Sequence, residues 1–356
     1  MGAVHEQECP SCGAAMRFEP ASGLLICDYC GKTMQIEPEQ RSEFNGFDFA
    51  TLSIHAYDAS AEALPIYNCV SCGAEIIAAS EQISLTCPYC RNNIVLTDKV
   101  SGSLRPDGVI PFRIAPDALP AALRSFYKGK VLMPKNFFSE SSVGKVTGVY
   151  VPFWVFSGRL FGRLTFRGEK SGRSHRSGDY IITDTHLYDL ERDVSVAFDG
   201  LPVDASGKID DALMDSMEPF DLTDVKPFDP GYLAGFVADR FDVPKEDISA
   251  RAEARMRNTA DSFLNAHAAP GYASVKRSGG RLTAELNAKY LLFPVYLFDI
   301  VFRGETYNFA VNGQSGKVVG SVPTDKGVAR KRFLVRAAAV LGIVLVIALI
   351  RYLLGR

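Results

Sequence analysis

The sequence predicts an α+β fold with two small cysteine modules at its N-terminus, a body that reads as two related halves, and one apolar helix at its C-terminus. Three observations carry that prediction. All eight cysteines fall in the first ninety residues as paired CxxC knuckles. The middle alternates amphipathic helical stretches with aromatic, β-branched runs, and the last thirty residues hold a long apolar segment.

The knuckles come first. Cys9-Pro-Ser-Cys12 pairs with Cys27-Asp-Tyr-Cys30, and Cys69-Val-Ser-Cys72 with Cys87-Pro-Tyr-Cys90, each as CxxC-x14-CxxC. The second set repeats the first at an offset of sixty residues and keeps a Ser-Cys-Gly-Ala and a Tyr-Cys frame, which points to duplication. Two knuckles joined by a short hairpin can close a tetrahedron of thiolates around Zn²⁺, with sulfur about 2.3 Å from the metal. Such segments are too small to hold a core alone, so metal must supply their folding free energy, about 10 kcal/mol or more. Four sulfur ligands leave no open position, and the expectation is two structural zinc sites: Cys9, Cys12, Cys27 and Cys30 in one, Cys69, Cys72, Cys87 and Cys90 in the other. Disulfides and an iron-sulfur cluster are the rival readings. The first needs an oxidising compartment and the N-terminus resembles no export signal; the second usually shows a less symmetric cysteine arrangement.

The expected organisation is a first zinc ribbon over 1–40, a linker over 41–66, a second ribbon over 67–100, an α+β body over 101–326, and a basic flank with a transmembrane helix over 327–356. In ribbon 1, Met16 and Phe18 alternate with polar neighbours and Gly23 precedes Leu24-Leu25-Ile26, a small hairpin between the knuckles. In the body, Asp117 stands ahead of Leu119, Ala122, Leu123, Phe126 and Tyr127, an amphipathic helix ending near Gly129. Strands are expected at 146–166 and 179–199, then a helix within 207–229 and a short helix opening at Gly231. A long helix runs from Pro244 to about His267 with the stripe Ile248, Ala252, Met256, Thr259, Phe263 and Leu264. Strands at 281–292, 294–303 and 305–311 follow, with a tight turn at Asn312-Gly313. Pro152-Phe-Trp-Val-Phe156 and Pro294-Val-Tyr-Leu-Phe298 match in proline, aromatic and Phe, each with a glycine ten residues after the proline, Gly162 and Gly304. That match suggests a second, internal duplication.

Ala337 to Ile350 is an uninterrupted apolar run, and extension through Phe333 and Leu354 gives twenty-two residues. The expectation is a single-pass transmembrane helix. Lys326, Arg330, Lys331, Arg332 and Arg336 precede it whereas only Arg351 and Arg356 follow, so positive-inside places the bulk of the chain in the cytoplasm, at the inner membrane.

Charge narrows the partners. Over 1–40, Arg17 and Lys32 face Glu6, Glu8, Glu19, Asp28, Glu37 and Glu39; over 67–99, Arg91 and Lys99 face Glu75, Glu81 and Asp98. Phosphate contacts supply most non-specific affinity for DNA, so acidic ribbons argue against nucleic acid and for protein partners. Basic residues collect instead at Arg159, Arg163, Arg167, Lys170, Arg173 and Arg176, which either meet an anionic surface or match the acidic stretch from Asp184 to Asp229. Chemistry is absent by motif: there is no P-loop, the five histidines are scattered, and no acid/base or small-molecule site is recognisable. The expectation is a non-enzyme.

Gly148-Val-Tyr-Val-Pro-Phe-Trp154, Gly231-Tyr-Leu-Ala-Gly-Phe236 and the run from Tyr307 to Gly320 carry a resemblance that spans nearly all of 9–325. The chain resembles bacterial tandem zinc-ribbon membrane proteins, commonly labelled primosomal helicase-like or transcription-factor-IIB-type zinc-ribbon proteins. Some similar proteins are associated with phage-shock-protein-A-like and flotillin-like membrane-stress systems. The resemblance thus implies a tail-anchored adaptor that recruits proteins at the inner membrane, and it brings no catalytic residues. The alternative is a nucleic-acid-binding zinc-ribbon protein of replication or transcription.

Overall fold

The structure is a computed structural model that describes residues 9–36, 66–69, 71–78, 85–90, 93–94, 106–134, 136–137, 142–143 and 146–354. The expected linker at 41–66 lies outside these except for Ile66. The first cysteine module forms a three-stranded sheet of β1 (Met16–Glu19), β2 (Leu24–Cys27) and β3 (Thr33–Met34). The second contributes β4 (Ile66–Asn68), β5 (Glu75–Ala78), β6 (Leu85–Thr86) and β7 (Asn93–Ile94). The body follows with β8 (Gly108–Val109), α1 (Leu119–Tyr127), β9 (Ser142–Val143), β10 (Thr147–Ser177), β11 (Tyr180–Asp204) and α2 (Asp211–Met217). It continues through β12 (Lys226–Pro227), β13 (Val237–Asp239), α3 (Lys245–His267), β14 (Ser274–Gly280), β15 (Thr283–Phe302), β16 (Glu305–Asn312), β17 (Val318–Gly320) and α4 (Lys326–Leu354).

Most strands join one mixed sheet along the path β12-β8-β15-β10-β13-β5-β4. Its centre is buried on both faces, which is why these strands read as continuous apolar runs rather than as an alternation. Tyr150, Trp154 and Phe156 share one face with Ile248, Ala252, Met256, Ala260 and Leu264 of α3. Val149, Val151, Phe153 and Val155 point the other way, against Met214 and Met217 of α2. The stripe on α3 passes through Ala260, not through Thr259 and Phe263: Phe263 is 53% exposed and stacks on His267 instead. The short helix expected at Gly231 is a single 3-10 turn, Pro230–Leu233, that runs into β13.

The expected break at Pro294 does not occur. β15 continues through it, and the Pro294 carbonyl accepts a hydrogen bond from the Gly313 amide at 2.8 Å. The two proline-aromatic segments are neighbours, with Tyr150 opposite Pro294 and Pro152 opposite Leu292 in an antiparallel pair. Their flanks correspond as well. β13 pairs parallel with β10 at Val149 and Tyr150, and β8 pairs parallel with β15 at Leu291 and Leu292, the matching positions. The sheet centre therefore has a local two-fold arrangement, and each half lends its short parallel strand to the long strand of the other.

The halves differ in their hairpins. β15 and β16 turn at Arg303-Gly304, whereas β10 and β11 run on to a turn at Gly178 and form a long arm. Inside β10, Gly158 marks a register shift where an added Cβ would lie 2.0 Å from the Glu285 carbonyl oxygen, so the strands approach too closely for any side chain. The basic face of β10 is answered within the sheet: Arg159 pairs with Glu285 at 2.8 Å, Arg163 with Asp193 at 2.9 Å, and Arg167 with Asp189 at 3.6 Å. Each arginine lies directly opposite its acid in the strand register. These pairs are exposed, so solvent screens them and each contributes little to stability.

The expected membrane span is corrected by the structure. Among the described residues, no helix is long and apolar enough to cross a membrane. α4 is helical over Lys326–Leu354, but Arg336 and Arg351 bracket a fourteen-residue apolar run. At 1.5 Å per residue that covers about 21 Å of a hydrocarbon core about 30 Å thick. Extension to Phe333 brings Arg336 inside the segment. The structure therefore supports neither a transmembrane helix nor the single-pass inner-membrane localisation that rests on it.

Candidate metal centres

Three of the four cysteine pairs sit on turns closed by a backbone hydrogen bond. The Cys9 carbonyl accepts from the Gly13 amide at 2.8 Å, the Cys27 carbonyl from Gly31 at 2.8 Å, and the Cys69 carbonyl from Gly73 at 2.7 Å. Gly13, Gly31 and Gly73 all have φ near +74°, a conformation that costs other residues about 1 kcal/mol or more, which explains the glycine after each of these knuckles.

The eight sequence-predicted ligands assemble as two groups. The sulfurs of Cys9, Cys12, Cys27 and Cys30 lie within 4.8 Å of one another, as do those of Cys69, Cys72, Cys87 and Cys90. The Cys9–Cys30 and Cys12–Cys27 sulfurs are 3.4 and 3.5 Å apart, and the Cys69–Cys90 and Cys72–Cys87 sulfurs 3.4 and 3.6 Å. A tetrahedron with metal–sulfur bonds of about 2.3 Å has edges of about 3.8 Å, whereas a disulfide needs about 2.05 Å. The donor sets therefore fit a metal ion and are too far apart to be cystines. Each group is positioned to hold one ion, consistent with two structural zinc sites.

Local electrostatics favour one thiolate in each group and hold other thiols there protonated. The Ala14 amide draws Cys12 down, but the Cys27 sulfur and burial push it up to about 12, and Cys30, Cys72 and Cys87 are raised as well. Burial pushes the Cys9 thiol up, but amide hydrogen bonds from Ser11 and Cys12 and the Cys30 sulfur outweigh it and bring it down to about 6. Cys69 falls to about 7 by the same opposition, with amides of Cys72 and Ser71 against burial. One thiol per group thus ionises readily, and a bound cation would draw the protons off the rest.

The modules are not beads on a string. Ribbon 1 is seated by Phe18, whose amide donates to the Ala234 carbonyl at 2.9 Å and whose ring meets Tyr232 and Phe236 edge-on at 5.4 and 6.5 Å. Ribbon 2 is seated by β5, which pairs antiparallel with β13 and so extends the body sheet. The two ribbons therefore use equivalent strands on consecutive stretches of the body, residues 231–236 and 237–239.

Their second knuckles differ sharply. Tyr89, between Cys87 and Cys90, donates its hydroxyl to Asp239 at 2.5 Å. Asp239 is fully buried and also accepts from Ser206 at 2.9 Å and Lys208 at 3.2 Å. Burial and the Asp239 charge push the Tyr89 phenol well above its ordinary range, so it stays a donor. Burial alone would pull the Lys208 ammonium down, but Asp239 and Asp242 hold it up. Tyr29, the corresponding residue of ribbon 1, is 88% exposed. Sequence reasoning missed Asp239, Ser206 and Lys208; the repeated Tyr-Cys frame was the available signal, and it marks an anchor in one ribbon only. Beside Tyr89 and Lys208 lies an open cleft of about 680 Å³, with Asp210, Ser216, Asp299 and Asn308 among its walls.

Fold and sites together define a tandem four-cysteine zinc-ribbon protein whose ribbons are built into a mixed-sheet body. Over 322 residues, 90% of each chain, it is 33% identical to the uncharacterized protein YdjG of Bacillus subtilis (strain 168), and it belongs to that protein's family. No family profile matches the sequence, and no solved structure matches it.

Proposed function

We propose that this protein is a non-catalytic zinc-ribbon adaptor that gathers other proteins on its ribbons and sheet body. The observation that carries the reading is the unequal use of two equal knuckles. Ribbon 2 already shows, within this chain, what such a knuckle does: it lays a tyrosine against a protein surface and hydrogen-bonds it there. Ribbon 1 turns the same tyrosine, Tyr29, to solvent beside the exposed Cys12 and Cys30. The acidic balance of the ribbons favours protein over phosphate as the surface that meets it. The resemblance to proteins labelled primosomal helicase-like supports the ribbons but not the activity, since the sequence has no P-loop.

The test is a photo-crosslinking residue at position 29 in the zinc-loaded full chain, expressed in its native host, with the same residue at exposed Asp210 as control. A discrete protein adduct at 29 and none at 210 is the expected result. A mobility shift on duplex and single-stranded DNA runs beside it; tight binding that falls steeply with salt would replace the adaptor by the nucleic-acid reading.

A further inference from the structure

The arm formed by β10 and β11 outruns the body. β15 accompanies β10 as far as Phe161 and β14 from Leu164 to Glu169; beyond Lys170 the hairpin has only itself. Among the described residues β11 pairs with no strand but β10. Its other edge is covered over 202–204, where the Pro202 carbonyl accepts from Arg255 at 2.9 Å, and is exposed at its start, from Tyr180 to Asp189.

That edge has two parts of different character. From Asp189 on it carries Asp189, Glu191, Arg192 and Asp193, charges of the kind that keep an edge strand from recruiting another. The nine residues Tyr180-Ile-Ile-Thr-Asp-Thr-His-Leu-Tyr188 have one formal charge, no proline, and β-branched or aromatic side chains at six positions. Tyr180 and Ile181 are each 77% exposed and Leu187 61%. A strand of high β-propensity with an unguarded edge and exposed apolar side chains is a template for strand addition.

We propose that the added strand is the same segment of a second copy, paired antiparallel about a two-fold axis at Thr185, so that two arms make one four-stranded sheet. That register sets the segment's one acid against its one imidazole. With Thr185 facing Thr185, Asp184 lies opposite His186 of the second copy, Thr183 opposite its Leu187, and Ile182 opposite its Tyr188, every contact occurring twice. Centring one residue earlier sets the two Asp184 carboxylates side by side; one residue later sets His186 against His186 and Asp184 against Tyr188. Directly opposed like charges destabilise a strand pair, which disfavours the earlier register, and of the three only the Thr185 centre gives Asp184 the His186 ring as its partner. The arm's cations, Lys170, Arg173 and Arg176, sit on β10, the outer strand of each pair. Three strand spacings put the two β10 strands about 14 Å apart, beyond the screening length of about 8 Å at physiological salt. This inference does not depend on what the ribbons bind.

Sedimentation equilibrium of the zinc-loaded full chain tests it. The expected result is a monomer–dimer equilibrium that Asp184→Lys weakens about tenfold or more and that Asp184→Lys with His186→Asp restores to within about threefold of the starting value. A short bismaleimide should join Thr185→Cys chains above the wild-type background and leave Ser195→Cys chains unjoined, because Ser195 lies ten residues from the axis on each copy. Both positions are exposed, and circular dichroism with zinc content verifies that each variant is folded. A chain that stays monomeric at 100 µM (about the upper end of the range in which weak pairs register), a dimer indifferent to Asp184→Lys, or equal crosslinking at 185 and 195 would overturn the proposal.

Discussion

The contrast between Tyr89 and Tyr29 gives the sharpest test of how the metal sites are tied to the rest of the molecule. Tyr89→Phe deletes one oxygen and leaves the ring in place, but strips a buried carboxylate, Asp239, of a donor at 2.5 Å. Hydrogen bonds to charged groups contribute about 1.5–3 kcal/mol, and a buried acceptor left short of partners sits toward the upper end. Ser206 and Lys208 still reach Asp239, which caps the loss, so about 1.5–2 kcal/mol is expected. Tyr29→Phe removes the same atom from a side chain 88% exposed and should change stability by no more than about 0.5 kcal/mol. The assay is urea unfolding of the zinc-loaded chain, followed by tryptophan fluorescence from Trp154, the single tryptophan, which lies in the body core. Because β5 extends the body sheet, destabilisation at Tyr89 should move the Trp154 transition itself. Equal midpoints for the two variants, or a Tyr89→Phe loss that leaves Trp154 unmoved, would refute the view that ribbon 2 and the body fold as one unit.

Other expectations follow from the same geometry. Anaerobically purified protein should contain two zinc ions per chain, released by a strong chelator with loss of both the ribbon structure and the cooperative Trp154 transition; elemental analysis returning less than one ion per chain would remove the metal assignment. Phe18→Ala opens a cavity between ribbon 1 and Tyr232 and should cost about 3–5 kcal/mol, read as a lowered urea midpoint for the body as well as faster zinc loss. Asp204 is buried, and burial together with Asp211 and Asp215 pushes its carboxyl up to about 6 despite Arg251 at 3.2 Å. Its folded-state pKa thus lies above the unfolded one, so the neutral form is favoured on folding and this contribution is lost as pH rises through 6. Relative to Asp204→Asn, the wild type should therefore gain about 1–3 kcal/mol as pH falls from 7 to 4, and a difference independent of pH would contradict the assignment.

The parts of this molecule set by local rules could be read from its sequence. The CxxC spacing specified both ligand groups, the Met16 and Phe18 alternation specified the ribbon hairpin, and the spacing of Ile248, Ala252 and Met256 specified α3. What resisted were features decided between distant residues. Nothing near Tyr89 signals that Asp239 will meet it, and Pro294 reads as a break because the carbonyl bond to Gly313 that steadies the strand is a tertiary fact. Arg163 and Arg167 suggest an anionic partner until the register places Asp193 and Asp189 across from them. The C-terminal helix reads as a span only when the apolar stretch is extended past Arg336, as though a charge could be averaged into its neighbours.

The exchange of short strands across the sheet centre has a consequence for how the chain is made. Gly108 and Val109 can meet Pro227 and Lys226 earlier, but their parallel neighbours Leu291 and Leu292 exist only roughly 180 residues later in synthesis. At about 5–20 residues per second, the nascent chain waits on the order of 10–35 seconds with its first half incomplete and apolar surface uncovered. The zinc knuckles, closed by contacts no more than a few dozen residues long, can set within that interval. Metal supply on the ribosome would then govern yield as much as it governs the finished protein's stability.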